Sequence, residues 1–267
     1  MGFPHVIELP EHLEASDSAA SGPATDGASA IDDAARLSRL IGFTTVRSSH
    51  EILSALLFSD RLGDSNDVPW NRYVFDHCAL MVFPANAAAL HRDLAAAGLQ
   101  VGATMPSVVV QQRFCARYGI DPRGYRINIL RAYGHSGGPG AEQRYEIFYP
   151  AESVTATGSS RIARQLRRAR DDERQHNRET HFAFTVRDFD WSGYSSLRHR
   201  LARTAGLIPD GGGFNPHDRI HGVGCSTFYF AGPGGVDGHR WPRRLELISG
   251  GRHDSALAAH QAEGSES

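Results

Sequence analysis

The sequence predicts an α+β fold in which one strand, helix, strand, strand, strand unit occurs twice, preceded by an amino-terminal arm that is part disordered and part helical. A repeated pattern is the first reason: Phe75-Asp76-His77-Cys78-Ala79-Leu80 with Arg144-Tyr145-Glu146-Ile147-Phe148, then Thr180-His181-Phe182-Ala183-Phe184 with Arg244-Leu245-Glu246-Leu247-Ile248. Glu146 lies 69 positions after His77 and Glu246 lies 65 after His181, the near-equal intervals of a duplicated unit. The second reason is that the order of predicted elements returns after residue 180. The third is chemical: each copy carries a His near the start of an apolar strand and a Glu within a later one. These ligands suit Fe, Mn, Zn or Ni, so the repeat points to one metal site shared by two half-domains.

The arm covers residues 1–68. Glu14 to Asp33 is rich in Ala, Ser, Gly and Asp with almost no large apolar side chains, the composition of a disordered segment. From Ala34 to Leu62 apolar residues recur at helical spacing, as in Ile52, Leu53, Leu56 and Leu57 after a cap at Ser49, giving one or two short helices. Pro69 marks the start of the first module, residues 69–158. There, Tyr73 to Phe83 is a continuous apolar run read as a buried strand, and Ala85 to Ala97 is a helix stopped by Gly98. A second strand is expected near Leu99 to Val110, and two more at Gly124 to Ala132 and Gln143 to Tyr149, flanking the glycine-rich turn His135 to Gly140. Residues 159–179 read as a solvated connecting helix, Arg-rich, with Ile162, Leu166 and Ala169 on one face. In the second module, residues 180–250, the strands are His181 to Val186, Leu207 to Pro209, Cys225 to Ala231 and Arg244 to Ser249, with a helix from Ser195 to Ala205 ended by Gly206. Residues 251–267 read as a polar tail.

Composition narrows the function. A net charge of −2 implies no polyanion partner, and Asp171, Asp172 and Glu173 interleave with the arginines of the connecting helix, which argues against nucleic acid. No run approaches the roughly 18 apolar residues that cross a bilayer, so a cytoplasmic protein without membrane contact is expected. Cys78, Cys115 and Cys225 are too few and too scattered for a disulfide framework or a Cys-type zinc site. All 28 basic residues are Arg, which excludes Schiff-base chemistry through a lysine amine.

Strand alternation says where the candidate ligands point. His181 shares a face with Ala183 and Thr185, while Phe182, Phe184 and Val186 form the packing face. Glu246 opposes Leu245 and Leu247, and Glu146 opposes Tyr145 and Ile147. A Glu centred in an apolar strand is costly to bury unless it is paired or bound to a cation, so both carboxylates are expected on the interior of a curved sheet.

These residues resemble the vicinal oxygen chelate superfamily, which includes glyoxalase I, type I extradiol ring-cleaving dioxygenases, fosfomycin-resistance proteins and several epimerases. The likeness covers about Tyr73 to Gly250 and implies two βαβββ modules paired into a cupped mixed sheet around a divalent metal. The stretch from Asp218 to Pro233, with its His221-Gly222 pair and Tyr229, followed by Gly238-His239-Arg240, is similar to the segment before the carboxylate ligand of extradiol dioxygenases. That resemblance implies His77, His181 and Glu246 as ligands of Fe(II), with His221 and Tyr229 as the catalytic pair beside them. Glu146 stands where glyoxalase-type members place a further ligand. Against the extradiol pattern, the spacing around Tyr229 needs a one-residue gap, and Trp241-Pro242-Arg243 is inserted before Arg244.

The expected protein is therefore an enzyme acting on a small molecule, with Fe(II) favoured and Mn, Ni or Zn open. The leading reaction is O₂-dependent cleavage of a catecholic diol, with His221 as acid/base and Tyr229 donating a hydrogen bond to substrate. The alternative is an isomerase or lyase in which Glu146 or Glu246 removes a proton alpha to a chelated carbonyl, and a third is a non-catalytic resistance-type binder. Phe214, Arg219, Thr227, His239 and Arg240 are the expected substrate-facing residues. Superfamily habit leaves a homodimer open.

Overall fold

In a computed structural model, residues 27–57, 70–135, 142–151, 161–220, 222–232 and 244–264 are described. The chain forms one eight-stranded mixed sheet in the order β2-β3-β4-β1-β5-β8-β7-β6. The strands are β1 (Tyr73–Met81), β2 (Gln100–Pro106), β3 (Ile127–His135), β4 (Glu142–Pro150), β5 (His181–Val186), β6 (Ile208–Ile220), β7 (Val223–Ala231) and β8 (Arg244–Gly250). Around them lie α1 (Gly27–Thr45), α2 (Ser49–Leu57), α3 (Ala87–Ala96), α4 (Val108–Tyr118), α5 (Arg161–His176), α6 (Trp191–Arg200) and α7 (Asp254–Gly264).

Each half repeats one topology. β1 is parallel to β4 as β5 is parallel to β8, and every other neighbouring pair is antiparallel. The halves join along β1 and β5, where His77 lies opposite Ala183 and Ala79 opposite His181. The reciprocal pairs place the two histidines around a local two-fold relation. Ala79 also pairs with Glu146 and Ala183 with Glu246, so the duplication holds in register.

Alternation divides the strands between two cores. Cys78, Leu80, Val82, Tyr145, Ile147, Phe182, Phe184, Phe228, Phe230, Leu245 and Leu247 face an outer core closed by α1, α2, α3, α6 and α7. The opposite face carries Ala79, Met81, Phe83, Ile127 and Phe148 under α4 and α5. Caps fix the crossover helices: the Asn86 side chain accepts from the Ala89 amide at 2.9 Å, and that of Asp190 from the Gly193 amide at 2.6 Å.

Several elements differ from the sequence reading. Residues 108–110, expected as the end of a strand, instead open helix α4, because Val110, Phe114 and Cys115 align on one helical face and fill the inner core. β6 runs for 13 residues where only the three-residue strand Leu207 to Pro209 was expected. Its glycines allow this: a Cβ on Gly212 would stand 2.3 Å from the Thr227 carbonyl oxygen, so the strand approaches β7 only with glycine there. Helix α5 is not simply solvated, since Ala163, Leu166, Ala169 and Glu173 are buried. The stretch read as a polar tail contains α7, whose Leu257 and His260 are buried. Part of the arm read as disordered belongs to α1, where Asp33 accepts from the Phe83 amide at 2.9 Å and pairs with Arg36 and Arg174. No helix among the described residues is long and apolar enough to cross a membrane.

Candidate metal centre

His77 and His181 sit on the two central strands, and Glu246 reaches in from β8. One ligand atom from each lies within 4.8 Å of the others, and all three residues are buried. His181 Nε2 is 2.8 Å from Glu246 Oε2, and His77 Nε2 is 3.6 Å from the same oxygen. The ring centroids of the two histidines are 5.8 Å apart.

The far nitrogens fix both rings. His181 Nδ1 donates to the Glu179 carbonyl at 2.9 Å, which fixes the ring with Nε2 toward Glu246. His77 Nδ1 lies 2.6 Å from Asp76 Oδ2. Its Nε2 is buried and has no hydrogen-bond partner among the described residues, an arrangement a cation would complete. Two imidazole nitrogens and a carboxylate oxygen converging on one point fit a divalent transition metal.

Electrostatics agree with this. Burial disfavours charge on His77, but Glu146, Asp76 and Glu246 outweigh it and push its pKa up to about 10. Burial works against the Glu246 charge too, yet the hydrogen bond from His181 and the nearby charge of His77 hold its carboxyl well below the usual range. The site is thus arranged to hold a carboxylate beside positive charge.

Glu146 occupies the corresponding position on β4 but has another partner. Arg131, opposite it on β3, donates from Nε to Oε1 at 3.2 Å. Glu146 Oε2 stands 3.6 Å from His77 Nε2, beside the three-ligand set rather than within it. Where β3 has Arg131, the matching position on β7 has Tyr229, opposite Glu246. The Tyr229 ring is buried, 5.9 Å from that of His181, with the guanidinium carbons of Arg113 at 5.1 Å and Arg244 at 5.8 Å. Burial, reinforced by the Glu246 charge, raises its pKa well above the ordinary phenol value, so the hydroxyl keeps its proton.

The other expected site residues divide. Thr227 is half-buried on the same face as Tyr229, two residues along β7. Phe214 pairs with Ser226, one step out of phase with Thr227, and packs against the outer core, with Arg252 5.1 Å above its ring. His221, His239 and Arg240 lie outside the described residues, as does the Arg219 side chain.

Sequence reading missed Glu179. It is fully buried, and its carboxylate receives Arg113 Nε at 2.8 Å together with Arg113 Nη2 and Arg117 Nη1, both from α4. Its amide donates to Glu173 at 2.9 Å while its carbonyl holds His181. One residue therefore ties the covering helix to a ring of the site. Against its burial, Arg113, Arg244 and Arg117 keep the Glu179 carboxyl ionised, whereas burial and the Glu179 charge raise that of Glu173. Glu179→Ala leaves the mostly buried Arg113 guanidinium, and the more exposed one of Arg117, without their carboxylate and is expected to destabilise the fold by about 3 kcal/mol, measured by denaturant unfolding. A loss of a few tenths would mean that water replaces the carboxylate.

No family model matches this chain, and no curated protein matches it. Similar solved structures include a methylmalonyl-CoA epimerase, 14% identical, with 67% of this chain and 95% of that one covered at a TM-score of 0.32. A triple mutant of 4-hydroxymandelate synthase from Streptomyces coelicolor is 15% identical over 73% of this chain and 55% of its own, also at 0.32. A Streptomyces coelicolor methylmalonyl-CoA epimerase variant in complex with 2-nitronate-propionyl-CoA is 15% identical over 67% and 97%, at 0.31. Likeness at these scores does not bear on the chemistry, which rests on the side chains themselves.

Proposed function

We propose that this chain is a metal-dependent enzyme of the vicinal oxygen chelate type, and specifically an extradiol-type dioxygenase that cleaves a small catecholic ring. The observation that carries the reading is the three-membered donor set: His77, His181 and Glu246 converge, while Glu146 is engaged by Arg131. Two imidazoles and one carboxylate leave coordination positions open, the ligand economy of non-haem Fe(II) oxygenases. When bound, the cation supplies Lewis acidity toward a chelated diol and, as Fe(II), redox chemistry toward O₂.

The chain's own residues account for the rest. Tyr229, kept protonated beside Glu246, donates a hydrogen bond to a substrate oxygen. Thr227 lines the same face, and His221 supplies the acid/base group on this reading. Phe148, 6.0 Å from the His181 ring, together with Met81 and α4, keeps water from the inner side of the site.

One observation favours a second reading, an isomerase or lyase. The Glu146 carboxylate is buried within 3.6 Å of His77 Nε2, close enough to the ligand set to take a proton alpha to a chelated carbonyl. Protein reconstituted with Fe(II) and offered a panel of catechols is expected to consume O₂ in step with diol loss. Turnover that persists under argon with Ni(II) or Zn(II) would replace the dioxygenase by the isomerase. Stoichiometric binding of a small molecule without metal or turnover would replace both.

A further inference from the structure

We propose that Asp76 is the positioning residue of the metal centre: a one-residue bulge in β1 turns its carboxylate onto Nδ1 of its own neighbour, His77, so that only Nε2 of that ring faces the cation. The inference rests on reading His77 as a ligand.

In an unbroken strand, adjacent side chains point to opposite faces, so Asp76 and His77 should not touch. They do, at 2.6 Å. The pairing with β5 explains how: Phe75 lies opposite Phe184 and His77 opposite Ala183, with Asp76 as the extra residue between them. A bulge of this kind re-aims a side chain at the cost of one broken step in the ladder.

The carboxylate so placed is held from both sides. From β4, Arg144 donates through Nη2 to Asp76 Oδ2, and from β5, Thr185 Oγ1 donates to Oδ1 at 3.3 Å. Arg144 is the register partner of His77, and its Nη2 is also 2.9 Å from His77 Nδ1. A guanidinium has no acceptor, so the shared acceptor of this triangle is the Asp76 oxygen, taking hydrogens from both the arginine and Nδ1. That choice of tautomer leaves the Nε2 lone pair for a metal. A carboxylate behind a ligating imidazole orients the ring and makes it a stronger donor.

The second module solves the same problem differently. Thr180 precedes His181, β5 pairs with β1 from His181 to Ala183 with no extra residue of its own, and Nδ1 donates to the Glu179 carbonyl. The two histidines, equivalent by duplication, are therefore unequal donors: His77 has an anion behind it and His181 a neutral peptide oxygen.

The test measures Zn(II) affinity by competition with a chromophoric chelator on the full chain. Asp76→Asn, which keeps the shape and removes the charge, is expected to bind between about tenfold and a hundredfold more weakly than wild type, and His77→Ala more weakly still. Wild-type affinity in His77→Ala would overturn the ligand reading itself. Loss in His77→Ala with undiminished affinity in Asp76→Asn would overturn only the positioning role. A readout that needs no variant is the long-range ¹H–¹⁵N spectrum of Zn(II)-loaded wild type, where His77 is expected to carry its proton on Nδ1. A proton on Nε2 would refute the proposal.

Discussion

Glu246→Ala is expected to emerge from purification without bound metal, whereas Glu146→Ala keeps wild-type metal content. Glu246 is the carboxylate that meets both imidazoles, at 2.8 Å from His181 and 3.6 Å from His77. Removing it deletes a donor and the set's one negative charge together. Two neutral nitrogens would then face a divalent ion in a buried site that also contains Arg113 and Arg244 beside Tyr229. Deleting an outer partner of a metal ligand typically costs tenfold to a hundredfold in affinity, and loss of a charged ligand should exceed about a hundredfold. Glu146 is different because Arg131 already satisfies it. Elemental analysis of protein purified without added metal decides the matter, with Glu246→Gln separating the charge from the shape. Unchanged metal in Glu246→Ala would remove the proposed ligand set. Loss in Glu146→Ala would restore a two-His, two-Glu site and turn the argument toward proton transfer.

Much of this centre was legible in the sequence because strands of period two announce their faces. Phe182 and Phe184 against His181 and Ala183, or Leu245 and Leu247 against Glu246, leave little choice once one face must be buried. What escaped depends on contacts between distant segments. Val108-Val109-Val110 has strand propensity, and only the inner core that Val110, Phe114 and Cys115 fill makes it helical. The glycines at 211–213 suggest a loop until Thr227 is seen to approach too closely for any side chain at Gly212. The bulge at Asp76 is a property of pairing with β5, so nothing in the local sequence separates Asp76 from an ordinary exposed aspartate. The face of Phe214 likewise follows from its pairing with Ser226, a register that its own sequence does not reveal. Glu179 looked like part of a charged linker because its guanidinium partners come from α4, a helix the sequence did not disclose.

The pH dependence of metal binding follows from the same geometry and runs opposite to the stability of the metal-free protein. Without metal, His77 keeps its proton up to about pH 10, because Glu146, Asp76 and Glu246 outweigh its burial. Its folded pKa lies above the unfolded value of about 6.5, so its contribution to stability is complete below about pH 6.5 and is lost as pH rises toward 10. Glu246 has the opposite sign: its pKa is depressed, so its contribution is present above the ordinary carboxylate range and lost as the solution is acidified. The metal-free protein should therefore be most stable in mildly acidic solution and weaken on the alkaline side. A metal needs the His77 Nε2 lone pair and must displace that proton, so apparent affinity should rise about tenfold for each pH unit between 7 and 9, with about one proton released per ion from this residue. Zn(II) titrations calorimetrically repeated in buffers of different ionisation enthalpy count that proton directly. Affinity that stays flat from pH 7 to 9 would mean that His77 is already neutral in the folded chain. The carboxylates around its ring would then be balanced by Arg131 and Arg144 rather than by the imidazole.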